Sequence, residues 1–358
     1  MRRESQRNSI TKMKTQNSID FRSYSRRPVS GAPENLIKIE HVAEGQSLPL
    51  LIKPAIEGVN LIQWSQNNRQ FIEAQLCKYG GLLFRNFDVK EVADFERFVQ
   101  ATSHELLSYQ ERSSPRSRIS GNIYTSTDYP AGQRIFLHNE NSYQHIFPMK
   151  IFFFCVTPPE SGGETPIADC RGVLRRIDPA IQQRFREKGG WKLVRNFGDD
   201  VGLSWQTTFQ TTNEAEVERY CQNAGIGTEW NEGRLRTSQV RPVIATHPTT
   251  AENVWFNHAT FFHVSTLEPA VQQALLAQYK EEELPNHTYY GDGSPIEPLV
   301  LAQLRDAYLQ ETTMFQWQRG DILMLDNMLV AHGREPFSGP RKIVVGMADP
   351  FHRQLEVS

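Results

Sequence analysis

From Arg134 onward the chain is cut into short apolar or alternating runs, each closed off by Gly, Pro, Asn or Asp, and this punctuation constrains the fold more than any other feature. The runs cover residues 134–137, 150–156, 240–246, 253–257, 314–317, 321–325 and 342–347. Many short strands with turn signals between them argue for a β-sandwich or barrel. The pattern predicts helices between them at about residues 172–188, 214–224, 268–283 and 298–311. Upstream, residues 71–79 read as a helix stopped by Gly80-Gly81, residues 82–87 as a strand, and residues 92–101 as a second helix.

Composition removes several classes of function. The 358 residues carry 39 Lys+Arg against 41 Asp+Glu, a balance that leaves no field able to gather nucleic acid or an anionic membrane. No run approaches the ~18 to 20 consecutive apolar residues of a membrane helix. Cys77, Cys155, Cys170 and Cys221 lie far apart without a Cys-x-x-Cys pair, which excludes a thiolate zinc knuckle and gives no disulfide framework. A reducing, cytoplasmic setting is therefore expected. The first thirty residues differ from the rest: Arg2, Arg3, Arg7, Lys12, Lys14, Arg22, Arg26 and Arg27 face only Glu4 and Asp20. That composition predicts a disordered basic leader over residues 1–35, and it is also the composition of an organelle transit peptide.

Two segments carry residues suited to chemistry. His138 and Glu140 follow the apolar run Ile135-Phe136-Leu137, and residues two apart leave a strand on the same face, so both side chains can reach one metal. Ten His and 41 acidic residues make about one such pair expected by chance, which keeps a surface strand end as the alternative. The second segment is Asp321-Ile-Leu-Met-Leu-Asp-Asn-Met-Leu-Val-Ala-His332-Gly-Arg334, where a buried-looking strand runs through a turn to a histidine. His332 stands 194 residues beyond His138, so only a closed fold brings them together. Joined, the three side chains make the two-His, one-carboxylate arrangement of non-haem Fe(II) oxygenases, which leaves positions for a bidentate cosubstrate and O2. A histidine hydrogen-bonded at a strand end is the alternative for His332.

The order of these residues resembles a known family. His138-x-Glu140, Gly162-Gly-Glu-Thr165, Asp326-Asn327, His332-Gly-Arg334 and Pro340-Arg341 are similar in sequence and order to the taurine dioxygenase / clavaminate synthase-like group of Fe(II)- and 2-oxoglutarate-dependent oxygenases. The resemblance covers roughly residues 82–350. It implies Fe(II) at His138, Glu140 and His332, with Thr165 and Arg341 holding 2-oxoglutarate. A buried dicarboxylate needs its distal carboxylate neutralised, and a planar guanidinium with a hydroxyl donor does so. Arg334 and Lys342 compete with Arg341 for that role. Glu140 stands where Asp is commoner in the family, as in clavaminate synthase-like members, and it fills the position that halogenating relatives leave open for chloride.

The resemblance implies a mainly β fold with flanking helices around a double-stranded β-helix (jelly-roll) core. The expected division is a single oxygenase domain over residues 36–358, with an N-terminal α/β extension at 36–130 and a core at 131–350 carrying a helical insert at about 172–310. The segments His138-Asn-Glu-Asn-Ser-Tyr143, Trp205-Gln206 with Phe209, and Val254-Trp-Phe-Asn257 look like members of the family that hydroxylate amino acids, free or tethered to a carrier protein, in peptide natural-product pathways. The expected partner is an amino-acid-like small molecule. Desaturation, epoxidation or cyclisation would use the same iron site; a non-enzymatic binding module or a zinc hydrolase would belong to another class. Trp205, Phe209, Trp230, Trp255 and Phe256 read as core residues, and Arg195, Arg236 and Arg241 as solvated charge or as clamps for a substrate carboxylate.

Overall fold

Ile151-Phe-Phe-Phe-Cys155 is apolar at every position because it lies in a sheet covered on both faces. The computed structural model describes residues 36–107, 111, 117–126, 129–198 and 202–354, so the expected leader at 1–35 lies outside the described residues.

The N-terminal part contains β1 (Ile37–His41), β2 (Leu50–Pro54), α1 (Leu61–Asn67), α2 (Arg69–Tyr79), β3 (Gly81–Phe84), α3 (Val92–Thr102), β4 (Arg118–Ser120) and β5 (Ile123–Thr125). Then come β6 (Ile135–His138), β7 (Ile146–Thr157), β8 (Ser161–Gly162) and β9 (Ile167–Asp169). The long connection that follows holds α4 (Cys170–Arg176), α5 (Pro179–Glu187), β10 (Trp191–Phe197), α6 (Trp205–Phe209), α7 (Glu214–Asn223), β11 (Gly227–Asn231), β12 (Arg234–Arg241), β13 (Ile244–Thr246), β14 (Asn253–Trp255), α8 (Pro269–Gln278), β15 (Asn286–Tyr290) and α9 (Pro298–Gln310). The chain closes with β16 (Thr312–Thr313), β17 (Ile322–Asp326), β18 (Val330–Arg334), β19 (Phe337–Ser338) and β20 (Lys342–His352).

Eight strands form the main sheet in the order β1-β2-β3-β17-β7-β20-β5-β4, and four form a facing sheet, β16-β9-β18-β6. These are the two layers of the jelly roll that the sequence implied. Successive side chains of the main sheet enter two different cores. Leu83, Ile151, Phe153, Leu323, Leu325 and Val345 face the interior between the sheets. Their neighbours Leu82, Phe84, Phe152, Phe154, Ile322, Met324 and Val344 pack beneath the N-terminal helices. α3 contributes Phe95, Phe98, Val99 and Thr102, one helical face at spacings of three and four. Phe98 is fully buried, with its ring 5.0 Å from Phe84 and 6.2 Å from Phe152. Phe98→Ala is expected to lower the unfolding free energy by ~3–5 kcal/mol, read as a fall in the denaturation midpoint at constant slope.

The structure corrects several local expectations. The helix expected at 172–188 is two helices, because Asp178 caps a new one through Ala180 N–H and Pro179 occupies its first turn. The strand expected at 240–246 breaks into β12 and β13 on either side of Pro242, which has no N–H for a ladder. Residues 314–317 form no strand: only Thr312–Thr313 pair with β9, and Phe315 and Trp317 turn into the core. The insert is not purely helical. It carries an antiparallel sheet of its own, β11-β12-β10-β15. Trp205 packs with Phe197 and Val217 in a separate small core, joined by the half-buried Phe209 and Trp230, while Trp255 and Phe256 enter the main core. Among the described residues no helix is long and apolar enough to cross a membrane, and all four cysteines are free.

Candidate metal centre

β6 and β18 are antiparallel neighbours whose register sets His332 directly opposite His138. Directly opposed residues share a face of the sheet, so the two imidazoles meet, their ring centroids 4.5 Å apart. On its other edge β18 pairs with β9, where His332 lies opposite Ile167. Every residue of β18 is buried, which fixes the ring against both neighbours.

Glu140 lies beyond the end of β6, and two asparagines hold it in place. Asn327 Oδ1 accepts from Glu140 N–H at 2.7 Å, while Asn327 Nδ2 donates to Glu140 O and Pro148 O, both at 2.8 Å. Asn139 Nδ2 donates to Asn327 O at 2.7 Å. All of these groups are buried and mutually satisfied, so the turn carrying Glu140 is fastened to the turn between β17 and β18. Asp326 shapes that second turn by accepting from Met328 N–H and Leu329 N–H, and its other oxygen meets His247 Nε2 at 2.9 Å.

The carboxylate of Glu140 comes within 3.7 Å of His332 Nε2, and one ligand atom from each of His138, Glu140 and His332 lies within 4.8 Å of the others. His138 Nδ1 is 2.9 Å from Phe136 O; a carbonyl only accepts, so Nδ1 carries the proton and Nε2 keeps its lone pair for a metal. Two neutral imidazole nitrogens and one carboxylate oxygen, carried by one sheet edge and the adjoining turn, are the donor set that suits Fe(II). The group fits these residues.

Thr165 and Arg341 stand ahead of strands of the two different sheets, Thr165 before β9 and Arg341 before β20, and the loop at Gly163 links their surroundings. Thr165 is buried just ahead of β9, and its hydroxyl accepts from Trp317 Nε1 at 3.1 Å. Arg341 Nε donates to Gly163 O at 3.0 Å, two residues from Thr165, and its guanidinium lies 5.4 Å from the Phe337 ring centroid. Gly162 and Gly163 both have positive φ, at 66° and 69°, a pair of left-handed residues that brings this loop against Arg341. Burial, then the like charge of Arg334, pulls the pKa of Arg341 down to about 10. Its two terminal nitrogens donate to no described protein atom. The rival cations are placed otherwise: Arg334 donates to the carbonyls of Tyr129, Pro130 and Gln133, and Lys342 is exposed.

His138 and Glu140 open onto a cavity of about 700 Å³, whose lining includes neither Thr165 nor Arg341. Phe261 lies against His138, centroid to centroid 4.3 Å. His258 is buried beside them, stacked on Phe262 at 4.8 Å, and burial holds its pKa well below the ordinary value. Sequence reading missed His258 and Phe261, which sit in the insert at no recognisable spacing from the candidate ligands; their signal is the run Asn257-His258 followed by Phe261-Phe262. It also misplaced two arginines as solvated charge. Arg195 is buried in the cavity wall, 3.5 Å from Glu111 Oε1, and Arg241 is buried with its donors on the carbonyls of Tyr143, Ala224, Gly225 and Val240 and the side chain of Gln239. Arg236, half-buried on β12, lies outside the cavity lining.

Comparison with known proteins agrees with this architecture. Residues 44–347 match the family described as "Taurine catabolism dioxygenase TauD, TfdA family". The chain is 40% identical over 336 residues to the dapdiamide synthesis protein DdaC of Enterobacter agglomerans, a match covering 93% of this chain and 97% of that protein. A clavaminate synthase-like protein of Arabidopsis thaliana is 28% identical over 312 residues, 84% of this chain and 90% of the relative. Among solved structures, PvcB of Pseudomonas aeruginosa superposes with a TM-score of 0.53 at 16% identity, covering 89% of this chain and 92% of PvcB, which supports the fold. AAD-2, solved with Mn(II) and N-oxalylglycine, gives 0.51 at 13% identity, over 87% and 96% of the two chains. With a family match over most of its length and a relative of 40% identity aligned nearly end to end, this chain belongs to the TauD/TfdA family of Fe(II)- and 2-oxoglutarate-dependent dioxygenases.

Proposed function

We propose that the chain hydroxylates an unactivated C–H bond of an amino acid, or of an aminoacyl group tethered to a carrier protein, releasing succinate and CO2. His138, Glu140 and His332 hold Fe(II), and Arg341 with Thr165 holds the distal carboxylate of 2-oxoglutarate. The observation that carries the reading is the meeting of two imidazoles and one carboxylate within 4.8 Å at the wall of a cavity large enough for a small substrate. Bound Fe(II), with 2-oxoglutarate and O2, supplies the oxidising chemistry; the protein supplies placement.

The placement is the work of named groups. Asn327 and Asn139 keep the Glu140 turn in one position, and the Phe136 carbonyl sets the tautomer and rotation of His138. Phe136, Phe197, Phe261 and Phe262 line the cavity and exclude water from the substrate side. Kinship with a dapdiamide synthesis protein supports a natural-product substrate built from amino acids. Residues 36–358 act as one catalytic domain in which the insert covers the mouth of the jelly roll, and the free cysteines suit the cytoplasm.

The test is a mass-spectrometric screen of amino acids and carrier-bound aminoacyl groups with Fe(II), 2-oxoglutarate, O2 and chloride. A gain of one oxygen, matched by succinate and without chlorinated product, is expected because Glu140 occupies the place chloride would need. Chlorination, or preference for taurine over every amino acid, would overturn the reading. Loss of two hydrogens instead would assign desaturation or cyclisation, and oxygen gain across a C=C bond epoxidation, on the same iron site.

A further inference from the structure

Three arginines line the cavity, and two have carboxylate partners. Arg134 pairs with Glu335 at 2.9 Å and Arg195 with Glu111 at 3.5 Å. Arg305, on the flank of α9, has no ion pair with any described carboxylate. Burial alone lowers its pKa, with no acidic group opposing it. A guanidinium remains charged in such a place, and a half-buried charge without a counterion carries a desolvation cost that an anion relieves.

Its position is built. Arg305 Nη1 donates to Ser265 Oγ at 3.0 Å and lies 3.4 Å from Thr266 Oγ1. Both hydroxyls are held for this purpose. His263 Nδ1 already accepts from Ser265 N–H at 3.1 Å, so at 2.8 Å it also accepts the Ser265 hydroxyl proton, turning the oxygen's lone pairs toward Arg305. The Thr266 hydroxyl donates to Thr260 O at 2.6 Å. One edge of the guanidinium is thereby docked on neutral oxygens, and Nε and Nη2 donate to no described protein atom.

We propose that Arg305 recognises a carboxylate of the substrate, so that the molecule presented to His138, Glu140 and His332 bears a free negative charge remote from the C–H that reacts. The inference rests on reading the cavity as the substrate pocket of an amino-acid oxygenase. A planar cation with adjacent free donors takes a carboxylate bidentately and rejects the corresponding amide, which brings no charge and leaves one donor unmatched.

The experiment is calorimetric titration, under argon, of the protein loaded with Fe(II) and 2-oxoglutarate, using the twenty common amino acids and their primary amides. The wild type is expected to bind at least one acid tenfold or more tightly than its amide. Arg305→Gln is expected to erase that ratio and Arg305→Lys to keep part of it, while the affinity for 2-oxoglutarate stays within twofold in both and reports an intact fold. An acid-to-amide ratio unchanged in Arg305→Gln overturns the role of Arg305 alone. So does a loss of 2-oxoglutarate affinity in the lysine variant as large as the loss for the acid. Binding of no acid and no amide by the wild type overturns the free-amino-acid reading, and the role of Arg305 with it.

Discussion

His332→Ala is expected to abolish both Fe(II) binding and succinate formation while the protein stays folded. The substitution removes one of three protein donors and, with it, the ring that stands opposite His138 across the β6–β18 pair. Two remaining ligands hold a divalent first-row ion weakly, so the loss should approach the detection limit of turnover. The neighbouring strands keep their ladder, because the backbone pairing of β18 with β9 does not involve the imidazole. Metal content by mass spectrometry and the anaerobic visible band with 2-oxoglutarate are the measurements. Full turnover of His332→Ala or of His138→Ala under limiting iron would sink the ligand assignment.

Arg341→Ala is expected to raise the 2-oxoglutarate requirement steeply. Removing the cation of a buried charge-assisted pair costs ~2 to 5 kcal/mol, which corresponds to roughly thirty- to several-thousand-fold in affinity. Thr165→Ala should act in the same direction and less, since one hydroxyl already shared with Trp317 is lost. Lys342→Ala should leave cosubstrate affinity unchanged, because that side chain is exposed. A 2-oxoglutarate titration of the four proteins decides it. An Arg334→Ala variant more damaging than Arg341→Ala would reverse the choice, although its guanidinium is already engaged by three backbone carbonyls.

The candidate ligands stood out in the sequence because His138 closes the apolar run of β6, Glu140 follows it by two, and His332 follows the apolar run of β17 through a turn. The central strands were legible for a related reason. Sheets clad on both sides need unbroken apolar runs, and residues 151–155 and 322–325 supply them. The insert hid β10, β11 and β15. β10 reads Trp-Lys-Leu-Val-Arg-Asn-Phe, with a basic residue in the middle of a buried stretch. Arg195 can be buried there because Glu111, 84 positions earlier, comes to meet it, and no local pattern announces such a partner. Arg241 is hidden in the same way, by carbonyls from two other segments, Tyr143 and Ala224-Gly225. The alternation over residues 314–317 looked like a strand, but strand formation needs an edge to pair with, and β9 offers one only to Thr312–Thr313. Arg305 drew no attention because an arginine on an amphipathic helix is ordinarily solvated.

The asparagine that ties the Glu140 turn to the far end of the chain bears on biosynthesis. Asn327 lies 187 residues beyond Glu140, and β18 follows it directly. A nascent chain that has emerged only through the insert carries two of the three candidate ligands but neither the strand that pairs with His138 nor the side chain that clamps Glu140. Synthesis proceeds at ~5–20 residues per second, so that half-site persists for roughly ten to forty seconds before the ribosome supplies the rest. On the proposed assignment, a complete set of ligands would exist only once translation is nearly finished, and products ending before β17 would lack both His332 and Asn327.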